Sequence, residues 1–162
     1  MERTFTFYNL PANTTELHAL PEFAMSDPFM TAALTVAVLC RYEADPNATV
    51  AMLNELRGPR PLSPFEIQFL RDRLSGKGYK PYSFFHGATP GNNYTPDQPY
   101  TITIRDDPYS YQNEGYVRLQ LQSFGADSPR PVTLRRKGEQ WMLWEQILLS
   151  DIRTPAKDDP WA

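Results

Sequence analysis

The sequence predicts an α+β domain in which three N-terminal helices pack on one face of a four- to five-stranded antiparallel sheet. Two observations lead there. Between residues 26 and 76, three helix starts share one grammar, a polar cap followed by proline. From residue 100 onward the hydrophobic period becomes two, as in half-buried strands. Helices and strands segregated along a chain give α+β architecture rather than alternating α/β units.

The first helix begins at Ser26-Asp27-Pro28 and continues through PFMTAALTVAVLCRY. It is apolar nearly all round, which places it at the centre of the domain; its β-branched residues leave a buried strand as the competing reading. The second is capped by Asp45, opens on Pro46, buries Val50, Leu53 and Leu56, and stops at Gly58-Pro59. The third opens on Ser63-Pro64-Phe65-Glu66, a capping box, with Ile67, Leu70 and Leu74 as its apolar stripe and Gly76 as its stop.

Strands follow in YTITIR (100–105), YVRLQLQ (116–122), VTLRR (132–136) and, after a Lys137-Gly138 turn, QWMLWEQILL (140–149). A short strand TFTFY at 4–8 is a fifth. The halves are joined by YKPYSFFHGATPGNNYTPDQPY, residues 79–100. Its four prolines forbid a regular helix or central strand, while its six aromatics are foreign to disordered linkers. An ordered, packed loop is expected, and ordered long loops are often functional. The tail 150–162 is expected to dock, with Ile152 and Trp161 as anchors.

The length of 162 residues suits one domain over 1–162 with a single core. Sixteen basic against nineteen acidic residues, a net charge of −3, argue against a general nucleic-acid binder. One cysteine, Cys40, makes no intrachain disulfide, and with two histidines it makes no zinc site of the usual kind. No metal or cofactor is expected. The longest apolar run, Phe29 to Cys40, is too short for a membrane span of ~20 residues. The N-terminus lacks the pattern of a signal peptide, so no membrane association and a cytoplasmic location are the expectations.

No motif fixes a reaction. The glycines of HGATPGNN and SGKGY match no phosphate loop and read as turns. Asp106-Asp107 and Asp158-Asp159 lack the spaced oxygen ligands of a calcium site. Arg135-Arg136-Lys137 could meet phosphate, but at a hairpin tip it reads foremost as a solvated turn. His86 comes nearest to a general base, with Asp97 or Glu145 as carboxylate partner; the simpler reading is a histidine that pins its loop.

Regular alternation puts Arg118, Gln120, Gln122, Thr133 and Arg135 on the sheet face away from the helices, joined by Met142, Trp144 and Gln146. A tryptophan among glutamines and arginines has the composition of an interaction surface. The same alternation turns Glu145 toward the core beside Leu143, where a carboxylate must be paired, neutral, or displaced by a bulge.

The segments LNELRGPRPLS, YSFFHGATPGNNYTPDQPY, GADSPRPVTLRRKGEQWMLWEQILL and DIRTPAKDDPWA resemble those of a family of small bacterial proteins of unknown function, a resemblance that covers about 27–162. It implies a self-contained α+β domain and no activity or site residue. The layout of helices before a curved meander is also similar to cystatin-like and NTF2-like folds, which host enzymes and non-enzymes alike.

Function is therefore unassigned by the sequence, and three readings stand. The leading one is a non-catalytic module that binds a small molecule or protein through the aromatic loop and the adjoining sheet, with His86, Asn92, Asn93, Tyr94 and Trp144 as contact residues and Tyr82, Phe84 and Phe85 packed inward. The alternatives are a hydrolase or isomerase with His86 as base, and homodimerisation through the polar sheet face around Trp144.

Overall fold

The computed structural model describes residues 1–162. The chain opens on a strand, β1 (Glu2–Phe7), before any helix. Then come α1 (Thr14–His18), α2 (Pro28–Leu39), α3 (Pro46–Arg57), α4 (Pro64–Leu74) and the single turn α5 (Tyr79–Tyr82). The strands β2 (Tyr100–Arg105), β3 (Tyr116–Leu121), β4 (Arg130–Lys137) and β5 (Gln140–Gln146) complete an antiparallel sheet in the order β1-β2-β3-β4-β5. The α+β class holds; the sheet has five strands, and five helices replace the three expected.

The caps work as the sequence predicts. Asp27 accepts from Met30 N–H, Asp45 from Ala48 N–H, and Ser63 and Glu66 close a reciprocal capping box. Eleven of the twelve residues of α2 are buried, and this helix alone touches all five strands. Each leucine or valine it buries contributes about 1.5–3 kcal/mol. Around it close Phe7, Phe84, Phe85, Leu56, Leu74, Ile104 and Leu119, all at most 1% exposed. The arrangement of three helices on the sheet holds only loosely. α3 packs on α2 and β5, whereas α4 stands off beside β5 with only Leu70 and Leu74 buried.

The sheet is split where β2 meets β3, which pair only through Ile104–Leu121 and Arg105–Gln120. The segment Ser83–His86 fills the gap. His86 N–H donates to Thr101 O on the β2 side at 2.8 Å, and Phe124 N–H donates to Ser83 O at 2.8 Å beyond the end of β3. The predicted ordered loop is thus a wedge driven into the sheet, with Phe84 and Phe85 completing the core beneath it.

The tail docks through one of its two expected anchors and not through the other. Ile152 and Pro155 are buried and Arg153 N–H donates to Gly125 O at 2.9 Å, whereas Trp161 is 93% exposed. Backbone bonds and the buried Ile152 and Pro155 hold the tail, and the terminal ring stays in solvent. No helix is long and apolar enough to cross a membrane.

Candidate functional site

The loop residues singled out by sequence are engaged within the protein, and of them Tyr94 is buried. Tyr94 is 3% exposed; it stacks on Tyr79 at 5.4 Å and donates its hydroxyl to Arg153 O at 2.6 Å. Burial, aided by Tyr79, pushes its hydroxyl up to about 12 against the opposing Arg153 charge. Gly125 permits this contact, because a Cβ there would overlap the Tyr94 hydroxyl. Asn92 serves the loop itself, capping with Thr89 and giving Nδ2 to Gly87 O and Thr95 O. Asn93 Oδ1 accepts from Lys157 N–H at 2.7 Å and so ties the tail down.

His86 shares a 3.0 Å hydrogen bond with Thr103 Oγ1 on β2 and lies edge-on to Phe124. Asp97 gives its backbone N–H to His86 O at 2.9 Å, while its carboxyl lies over Gly87 and makes no side-chain hydrogen bond to the imidazole. The side-chain partner of the His86 ring is the Thr103 hydroxyl and not a carboxylate.

Glu145 does not face the core. Leu134 pairs with Leu143 but Thr133 pairs with Glu145, so Trp144 is an extra residue, a β-bulge. The insertion reverses the alternation. Glu145 falls opposite Thr133 on the outer face and is exposed, Leu143 stays buried, and the indole of Trp144 is extruded.

Three side chains collect on that indole. The Arg60 guanidinium lies 3.8 Å from the ring centroid and Arg135 lies 4.6 Å away. Tyr116 meets it edge-on at 5.6 Å, with Arg135 also over the Tyr116 ring. Such cation–π contacts are worth about 0.5–2 kcal/mol each. Arg60 further donates Nη2 to Trp144 O, covering a carbonyl that the bulge leaves outside the ladder.

The route of Arg60 to this position is local. Gly58 ends α3 at φ +66°, a conformation most residues avoid, and a Cβ there would press on Met142 Sδ at 3.0 Å. The chain can then ride over the edge of β5. Arg57, 6% exposed, fixes the path by donating Nε to Arg60 O and Nη2 to Glu66 Oε2, both at 2.9 Å. Burial lowers the Arg57 pKa, partly offset by Glu66. For Glu66, burial acts upward, but the Ser63 hydrogen bonds and the Arg57 charge outweigh it and hold the carboxyl below its usual range.

Beside Trp144 opens a cleft of about 360 Å³ lined by Arg57, Arg60, Arg135, Arg136 and Lys137, and by no carboxylate. On a chain of net charge −3 this is a local reversal of sign. A model of a protein family described as a domain of unknown function (DUF6935) matches residues 9–156. The chain belongs to this family. No curated protein and no solved structure matches it. The match to DUF6935 covers every element from α1 to β5 and all the residues around Trp144.

Of the contact residues expected from sequence, Trp144 lines the cationic cleft; Asn92 bonds within the loop, Asn93 and Tyr94 bond to the tail, and His86 bonds to β2. Arg60 and Tyr116 were not legible as site residues. The available signal for Arg60 was its position two residues after the Gly58 helix stop, and for Tyr116 its register opposite Arg135.

Proposed function

We propose that this protein is a non-catalytic binding module whose contact surface is the outer end of the sheet around Trp144, and that this surface takes an anionic group. One observation carries the reading. Five cationic side chains and no carboxylate line the cleft beside an indole clamped by Arg60 and Arg135. Its volume lies in the range of small-ligand sites, roughly 300–1,000 Å³. Guanidinium groups are the side chains best suited to carboxylate or phosphate, through paired N–H donors. The cations are pre-placed by the Arg57–Glu66 pair and the bulge, which lowers the ordering cost of binding. The adjoining sheet of the sequence-based expectation is kept, and the loop becomes its scaffold.

The test is a titration of ¹⁵N-labelled protein with sodium pyrophosphate at low ionic strength. The Trp144 indole N–H and the amides of Arg60 and Arg135 to Lys137 are expected to shift together, and the shift is expected to fade with added salt and in R135E/K137E. Pyrophosphate that leaves these resonances in place, or moves them equally in the charge-reversed variant, overturns the reading.

A further inference from the structure

We infer that the partner is a short extended segment of another protein, acidic and apolar in composition, which adds as a strand to the free edge of β5 beside α4. This rests on the binding reading above and names what would bind.

β5 is an edge strand, and its N-terminal half is closed. Trp141 gives its N–H to Met25 O, and Trp141 O accepts from Thr31 Oγ1. Beyond the bulge the edge is open. There residues Leu143 to Ser150 line one side of a groove of about 420 Å³, and α4 lines the other. Ile147 N–H is given inward to Pro131 O. In an antiparallel ladder the neighbouring Gln146 therefore presents its N–H and C=O outward, into the groove. The flanking groups are held by side chains that can swing away: Trp144 O by Arg60, and Leu148 N–H by Gln146 Oε1 at 3.0 Å. Unpaired strand edges of this kind are templates for another strand.

The groove is also where apolar surface is left uncovered. Phe65 is 79% exposed, Phe69 40% and Ile147 47%, and all three line it. Scattered exposed hydrophobics need no explanation, but two α4 phenylalanines facing an edge that itself carries an exposed Ile147 do. At about 3.3 Å per residue, a strand of four or five residues would run the open edge, alternate side chains resting on Phe65 and Phe69.

Charge selects the occupant. The groove and the cationic cleft share Arg57, Arg60, Leu143 and Trp144, so one surface runs from apolar to basic. Arg73 adds a cation on the α4 side, stacked on Phe69 at 4.9 Å. Two carboxylates also line the groove, Glu66, which is paired with Arg57, and Glu145, exposed opposite Thr133; the cationic excess comes from Arg60 and Arg73 together with Arg135, Arg136 and Lys137 of the adjoining cleft. A second copy of this chain would meet the surface with the same cationic patch, since an isologous interface opposes like with like. An acidic strand complements it.

The probe is a synthetic octapeptide of aspartates alternating with phenylalanine and leucine, followed by ¹⁵N shifts and by fluorescence anisotropy of a labelled copy. Binding is expected to shift Gln146, Leu148 and the α4 amides. It should weaken at least ~10-fold when alternate peptide amides are N-methylated, when lysine replaces aspartate, and in F65S/F69S. Equal affinity for the N-methylated peptide overturns strand addition, and equal affinity for the lysine peptide overturns the charge assignment. No peptide binding while pyrophosphate still shifts Trp144 overturns this inference and leaves the binding module standing; silence toward both removes both. A concentration-dependent dimer in light scattering that F65S/F69S abolishes would assign the edge to a second copy instead.

Discussion

The hydroxyls of Ser83 and Ser123 meet at 2.7 Å in the interior, one from the wedge and the other from the segment after β3. Each has one proton, and the partners fix its direction. Ser83 donates to Lys80 O at 2.6 Å, so it accepts from Ser123, which in turn accepts from Gly125 N–H at 3.1 Å. A directed chain from Gly125 N–H to Lys80 O therefore fastens the loop across the split sheet.

That chain makes a prediction for stability. S123A strands the Gly125 N–H, and S83A leaves the Ser123 hydroxyl without its acceptor; each should cost about 1–3 kcal/mol. In a chain of this size that is roughly 2–4 °C of Tm per kcal/mol. The double variant should cost less than the sum, because each single change orphans a partner that the second removes. Denaturant unfolding of the three variants measures it, and strict additivity would mean that the two hydroxyls act independently.

Alkaline pH probes the same region. Burial is the main cause that pushes the hydroxyls of Tyr82 and Tyr94 up to about 12 from the ordinary tyrosine value of about 10. A folded pKa above the unfolded one contributes stability that is whole below pH 10 and is lost as pH rises toward 12. The predicted observation is a fall in unfolding free energy across that window. Ultraviolet titration should show a late-ionising group of tyrosines, smaller by one in Y94F. Tyrosines titrating together near pH 10 in the folded protein would contradict it.

Local signals were legible in sequence and long-range ones were not. The caps at Asp27, Asp45 and Ser63 act within three residues, so their pattern fixes α2, α3 and α4. Phe84 and Phe85 point inward because large aromatics bury, yet the same rule applies to Tyr94, whose hydroxyl finds Arg153 O only once the tail has docked. The Trp144 bulge is invisible to a period-two reading, since an extra residue leaves no mark in composition and inverts every assignment beyond it. Arg60 reaches Trp144 through a backbone path set by Gly58 and Arg57, contacts that exist only in the folded chain.

The bulge itself can be tested by removing it. With Trp144 deleted, Leu143 and Glu145 would become neighbours, and the pairs Leu134–Leu143, Thr133–Glu145 and Val132–Gln146 would follow in continuous register. The deletion therefore restores a regular ladder and keeps Leu143 inward and Glu145 outward. It should fold, because every residue of β5 beyond the deletion keeps its face. What the deletion removes is the indole between Arg60 and Arg135, and with it the ring that gathers these cations. The expected outcome is a native circular dichroism spectrum and cooperative unfolding, with a loss of about 1–3 kcal/mol for the missing aromatic contacts and at least ~10-fold weaker pyrophosphate binding. An unfolded deletion variant beside a folded W144A would place the bulge in the fold rather than in the site. Pyrophosphate affinity unchanged in both would place recognition elsewhere on the molecule.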